Sequence, residues 1–292
     1  MSSVVGMYIT QGIHGLVYGM LLFLVSSGLT LIFGMMGILN LAHASFFMLA
    51  AYFCYAVLQV TGSFWTALII APVFAAFFGV LAERFLLRKV HASGHIAELL
   101  LTLGMSLVIL EAVKVFWGTE SLIITVPESL TGLVNLGLDI NYPIYRLFII
   151  VIACVTLIFM ALILFKTRLG KIVRASVTNP QMVSALGINT PVVFMLVFGI
   201  GTWLAGIAGV CAAPLLTVFP GMADQMGMDC FVVVVTGGLG SLLGAFIAAL
   251  GIGELNAFGV QFVPRLVPVI TFGFMVIVLA IKPTGFFGER EA

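Results

Sequence analysis

Charge is what this sequence has least of. Asp, Glu, Lys and Arg together make up 8% of the 292 residues, and none of them occurs from Met1 to Ala82. A soluble domain carries roughly a quarter charged residues and about half apolar ones. This chain is 62% hydrophobic, with a mean hydropathy of +1.28. So little polar surface cannot cover so much apolar chain in water, which excludes a soluble globular fold. A helix of about 20 apolar residues crosses a bilayer, so the uncharged stretch alone has room for about three crossings.

Other absences narrow the function. The four cysteines, Cys54, Cys154, Cys211 and Cys230, lie in or beside apolar runs at no metal-ligand spacing and read as small buried hydrophobes. "GGLGSLLGA" is glycine-rich but lacks the Lys-Ser/Thr pair that holds phosphates, so it is no nucleotide-binding loop. No catalytic cluster, metal site or cofactor motif is visible, and a net charge of +1 gives no reason to expect nucleic acid. Ionisable groups inside the apolar runs are few. Glu111 and Lys114 are spaced to pair along one helix face, and Glu254 interrupts a late run. A proton-driven carrier usually shows more such groups along its path. The chain reads as a pathway without an engine of its own. Its N-terminus lacks the basic region of a signal peptide, so the first span is expected to be retained.

Apolar runs bounded by charge, Pro or Gly predict eight helical spans, near 11–33, 41–60, 63–87, 97–117, 143–165, 191–213, 241–259 and 264–281. Residues 230–240, "CFVVVVTGGLG", are apolar but too short to cross, and predict a broken or half-crossing segment. The fold class is therefore all-α and polytopic, one membrane domain over residues 1–292. Arg84, Arg88 and Lys89 follow the third span, and Lys166, Arg168, Lys171 and Arg174 follow the fifth. Placing both clusters in the cytoplasm, with Lys282 and Arg290 beside them if the 230–240 segment crosses, leaves only Lys114, Arg146 and Arg265 of the twelve basic residues elsewhere. The N-terminus is then outside. So are the acidic segment with Glu120, Glu128 and Asp139, and the segment with Asp224 and Asp229.

The basic segment 166–190 carries the clearest local signals outside the membrane. Asn179 is a good helix N-cap, Pro180 suits the first helical position and Gly187 suits the residue past the end. A short helix from Pro180 to Leu186 would put Met182 and Leu186 on one face. It reads either as an anchor on lipid headgroups or as a knob for a cytoplasmic partner. In "LIFGMMGILNLAHASFF", Gly34 and Gly37 permit a break between the first and second spans. Asn40 and His43 then lie on one face of the following helix. A broken helix exposes backbone N–H groups that can receive a carboxylate. Asn40 and His43 either line such a path or satisfy the freed backbone. Recurrent small residues, from Gly199 to Gly209 and from Gly237 to Gly253, let helices approach closely.

Three stretches together resemble the branched-chain amino acid ABC transporter permeases of the Liv type: "LIFGMMGILNLAHASFFMLAAY", "GKIVRASVTNPQMVSALGINTPVVFMLVFGIGTWLAGIAGV" and "FVVVVTGGLGSLLGAFIAALGIGELNAF". The closing "IKPTGFFGE" is similar to that family's cytoplasmic terminus. The resemblance implies a bacterial inner-membrane importer built from a second, related permease, two cytoplasmic ATPases and a periplasmic substrate-binding protein. ATP hydrolysis would lie on the partners and not on this chain, which would need no cofactor. The short helix would be the coupling helix, through Pro180, Met182, Val183, Leu186 and Gly187. The substrate path would draw on Asn40, His43, Ser45, Thr236, Gly238, Gly240 and Ser241, with "TGGLGS" turning in its cytoplasmic half. Many relatives carry an acidic residue where this chain has Ala44 and Ser45 after His43, and relatives also carry urea, amides or aromatic acids. The resemblance therefore leaves the solute open. A channel or carrier working without ATPases is the alternative, and a membrane-embedded enzyme would need a catalytic set that is not visible.

Overall fold

The computed structural model describes residues 2–135, 137, 140–178 and 180–288. Its helices in order are α1 (Ser2–Met36), α2 (His43–Thr61), α3 (Phe64–Val90), α4 (His95–Trp117), α5 (Ile144–Lys166), α6 (Arg168–Thr178), α7 (Pro180–Ala185), α8 (Thr190–Ala212), α9 (Met222–Gly237), α10 (Leu242–Phe262) and α11 (Val267–Ile281). Eight of them, all but α6, α7 and α9, are long and apolar enough to cross a membrane, and they coincide with the eight expected spans. A small hairpin, β1 (Leu133–Asn135) with β2 (Asn141–Pro143), decorates the acidic segment between α4 and α5. Asp139, expected there, lies outside the described residues.

Helices α1 and α8 form the centre. Leu21 to Val25 of α1 are all buried, as a helix apolar on every side must be. Helix α10 runs antiparallel along the whole of α1. The pairs along the seam are Tyr8 with Phe262, Gly15 with Glu254, Gly19 with Ala249, Phe23 with Phe246 and Gly34 with Gly240. On its other side α1 meets α8 backbone to backbone at Gly28 and Gly201, and α8 meets α3 where Gly206 faces Pro72 and Gly79 faces Thr202. At these positions a Cβ would collide with neighbouring main chain or a buried side chain, so most of the small residues serve close packing. Helices α4 and α11 sit at the periphery and turn Leu107, Val108 and Val115, or Val269, Val276 and Ile277, outward.

Several expectations are corrected. The segment expected at 230–240 is the second half of α9, which begins at Met222, so Asp224 and Asp229 lie on a helix rather than in an outer loop. Val218, just before α9, exchanges backbone hydrogen bonds with Leu122 of the acidic segment. The far end of α9 reaches Gly34 and the C-terminal residues. The helix thus joins opposite ends of the bundle, although its 16 residues span only about 24 Å, against ~30 Å of hydrocarbon. Gly34 does not break α1, which continues to Met36; the break starts at Gly37, whose φ is +66°. Gly34 instead provides the close approach to Gly240. Residues 168–178, expected only as a basic segment, form helix α6.

Candidate functional site

The connection between α1 and α2 is built around Asn40. The Gly37 N–H closes α1 by donating to the Phe33 carbonyl at 2.8 Å. Asn40 is buried, and its Oδ1 accepts the Ala42 N–H at 3.0 Å while its carbonyl accepts the His43 N–H at 3.2 Å. This turn starts α2 without any cap from Ala42 itself. The Leu41 N–H donates to Thr102 Oγ1 at 3.3 Å, and the Ser45 and Ser106 hydroxyls are 2.8 Å apart, which ties the break to α4. His43 is also buried. Its Nε2 donates to the Val25 carbonyl of α1 at 3.0 Å, so it bridges α2 to the neighbouring helix.

Not every polar atom here is satisfied. Asn40 Nδ2, His43 Nδ1 and Thr30 Oγ1 are buried with no hydrogen-bond partner among the described residues. Ser26 Oγ, one turn before Thr30 and beside the Cys230 thiol of α9, lacks a well-formed bond as well. Buried polar groups are almost always paired, because an unmet donor or acceptor costs about 1–3 kcal/mol. Asn40 Nδ2, His43 Nδ1 and Thr30 Oγ1 are groups that water or a solute would satisfy.

Helix α9 closes this region, with Gly227 against Ala44. It ends in an elbow, Gly237 to Ser241. Thr236 is buried, and its hydroxyl donates to the Val232 carbonyl of its own helix. Gly238 has φ +100°, a left-handed conformation that favours glycine, and a Cβ there would lie within 2.3 Å of the Gly288 nitrogen. The C-terminal tail straps the elbow from outside: the Phe286 and Phe287 N–H groups donate to the Thr236 and Gly237 carbonyls at 2.9 and 3.0 Å. Gly240 is held against Gly34, and Ser241 caps α10 by accepting the Gly244 N–H at 3.1 Å. Asn40, His43 and Ser45 thus gather at one break and Thr236, Gly238, Gly240 and Ser241 at one elbow, joined by Gly34 of α1.

Sequence reasoning missed a third feature. The Tyr18 hydroxyl donates to Asp229 Oδ2 at 2.6 Å, joining α1 to α9 in the half of the bundle nearer the acidic segment. On the same helix Asp224, Gln225 and Met228 are exposed. A helix too short for the bilayer that turns Asp224 outward cannot face hydrocarbon there. The signal was available: Asp229 directly precedes "CFVVVV" and so belongs to the same helical run. In the hairpin, His14 Nδ1 of α1 lies 2.7 Å from the Tyr142 hydroxyl, and burial pushes that phenol above its ordinary value.

At the opposite end, α7 is a defined piece. Its C-terminus is closed by the Gly187 N–H to Ser184 and the Ile188 N–H to Val183, with Gly187 at φ +83°. Asn179, expected as the N-cap, lies outside the described residues. Val183 is buried and fixes the helix to the body, whereas Met182 and Leu186 are exposed. Asn189, missed as a cap, accepts the Val192 N–H and starts α8. Beside it Arg88 Nη2 donates to the Pro191 carbonyl at 2.9 Å and meets Glu83 at 3.3 Å, while buried Glu98 receives His91 Nδ1 at 2.5 Å. The ends of α3, α4 and α8 are therefore locked together next to α7. Among the described residues no cluster of His, Cys, Asp or Glu could hold a metal.

The family model described as "Branched-chain amino acid transport system / permease component" matches residues 12–279. The chain is 29% identical to the high-affinity branched-chain amino acid transport system permease protein BraD of Pseudomonas aeruginosa, over 97% of both chains. It is 28% identical to the permease protein LivH of the corresponding Escherichia coli K12 system, over 97% of this chain and 96% of that one. A probable LivH of Methanocaldococcus jannaschii is 26% identical over 94% and 90%. No solved structure matches.

Proposed function

This chain belongs to the permease components of branched-chain amino acid transport systems, and from that premise we propose that it forms half of the membrane path of an ATP-driven importer. It sits in the bacterial inner membrane with a second, homologous permease. Two cytoplasmic ATPases drive it, and a periplasmic binding protein delivers a branched-chain amino acid or a related small carboxylate or amide. The observation that carries this reading is the pair of unpaired buried polar atoms at the α1–α2 break, Asn40 Nδ2 and His43 Nδ1, with Thr30 Oγ1 of α1 unpaired as well. In the path they meet water or the polar end of the solute, while the apolar surroundings accept an aliphatic side chain.

The working cycle follows from what can move. The elbow at Gly238 and Gly240 links α9 to α10 beside the break, so a shift of α9 against α1 opens or closes the seam at its cytoplasmic end. Val183 ties α7 to the body, and the exposed Met182 and Leu186 offer an apolar knob to the ATPases. His43 braces the seam through Val25, and Ser45 does so through Ser106. The test is Asn40→Leu in the assembled transporter, reading solute uptake beside the yield of complex. An intact complex with uptake reduced about tenfold, an order-of-magnitude figure for losing one buried polar contact, supports a path role. Loss of complex at unchanged specific uptake would make Asn40 a structural cap. Uptake that persists after ATP depletion would replace the importer reading with that of an autonomous carrier.

A further inference from the structure

Helix α6 does not lie flush against the bundle. Thr167 Oγ1 donates to the Ile163 carbonyl at 2.6 Å and accepts the Gly170 N–H at 3.1 Å, which folds the chain sharply at the end of α5. Gly170 is pressed onto the Ile163 and Leu164 carbonyls so closely that no Cβ would fit. The sharp turn leaves a wedge between α6 and the ends of α1, α5 and α8. It encloses about 310 Å³, with Leu31, Ile163, Ile172, Val173, Val192 and Leu196 among its walls. Its one polar lining side chain, Asn189, already accepts the Val192 N–H. Leu169, Val192 and Leu196 are partly exposed at the mouth.

The rim is chemically opposite to the walls. Lys166, Arg168 and Lys171 are exposed there and make no ion pair among the described residues. Arg174, on the same helix, lies over the Phe165 ring at 5.4 Å. An apolar slot opening at membrane depth fills with hydrocarbon rather than water, and a cationic rim at the cytoplasmic surface selects anionic headgroups.

We propose that this wedge is a binding site for an anionic phospholipid of the cytoplasmic leaflet, with one acyl chain in the slot and its phosphate on the Lys166–Lys171 rim. The occupant lies directly beneath the helix that leads into α7, so its presence holds α6 and α7 in place for coupling. The experiment uses the full chain in nanodiscs and two photoactivatable probes, phosphatidylglycerol and phosphatidylcholine, each with a diazirine on one acyl chain. Phosphatidylglycerol should label peptides of α5, α6 and α8 strongly, and phosphatidylcholine several-fold less. Changing Lys166, Arg168 and Lys171 to Gln, which alters only exposed side chains, should weaken that labelling by roughly fivefold per charge at low salt. Val192→Trp, which fills the slot, should abolish it with the rim intact. Equal labelling by the two lipids, or labelling unchanged in the triple variant, would overturn the site. So would loss of the label on binding the ATPases, which would assign the wedge to them instead.

Discussion

Helix α1 is bordered by seams of opposite character. Along α10 and the elbow before it, it presents Gly15 to Glu254, Gly19 to the Ala249 and Leu250 main chain and Gly34 to Gly240, at distances that leave no room for a methyl group. Along α2 it presents the Val25 carbonyl to His43, and Asn40 Nδ2 and His43 Nδ1 have no hydrogen-bond partner among the described residues. One seam is sealed by backbone contact and the other is open in its hydrogen bonding. In a bilayer the first is how helices without a hydrophobic driving force hold together. The second is affordable only where water or solute reaches. Under the proposed function the same helix is a spine on one side and the wall of a path on the other.

The comparison is broken most severely by substitutions on the spine. A Cβ on Gly253 would come within 2.4 Å of the Gly15 carbonyl oxygen and 2.5 Å of Gly19. Gly253→Val should therefore destabilise the fold by about 3 kcal/mol or more, since overpacking against main chain cannot relax by rotamer change. It should remove folded protein from the membrane altogether, as followed by detergent-extracted yield and thermal melting. A variant with normal yield would mean that α10 can slide on α1 and that the spine is not rigid.

Next in size is Leu186→Asp on α7. An uncompensated carboxylate in an apolar docking groove should weaken attachment of the ATPases by a few kcal/mol. Leu186 is exposed in the isolated chain, so the membrane part should fold and melt as before. The expected readout is loss of the ATPases on purification, or hydrolysis that no longer responds to the loaded binding protein. Retained, substrate-stimulated hydrolysis would make α7 a headgroup anchor.

The spans were legible because length and apolar content alone specify a crossing helix, and all eight appear within a few residues of where the apolar runs place them. The end of α7 was legible too, because Gly187 suits the position just past a helix end. Three things were harder to read. Asp229 reads as an outer-loop acid until α9 is seen to start at Met222, because two carboxylates and a glycine interrupt the apolar run that usually marks a crossing. The role of Gly34 and Gly240 was also hidden, since the sequence shows that a backbone can bend or be approached but not by what. Gly34 looked like a break and proves to be a contact. The bridge from His43 to the Val25 carbonyl depends on how α1 and α2 fold back on each other, which spacing along either helix does not encode.

The smallest expected effect is the sharpest test of where the open seam leads. Tyr18 joins the two regions: it lies on α1 between Gly15 and Gly19 of the spine, yet its hydroxyl reaches Asp229 on the polar side at 2.6 Å. Tyr18→Phe deletes that donor and little else. If Asp229 is sealed inside protein, its carboxylate is left short of a partner, and the variant should lose about 1–3 kcal/mol of stability. If Asp229 borders a wet path, water replaces the phenol, and the loss should stay below about 1 kcal/mol. The exposed Asp224, Gln225 and Met228 on the same helix argue for the second outcome. Thermal melting of Tyr18→Phe, read against Asp229→Asn, separates the two. A small loss in both places the outer end of the path along α9. A large loss in Tyr18→Phe that Asp229→Asn relieves in the double variant would instead show a buried ion held by a single donor, and would confine the open seam to the break at Asn40.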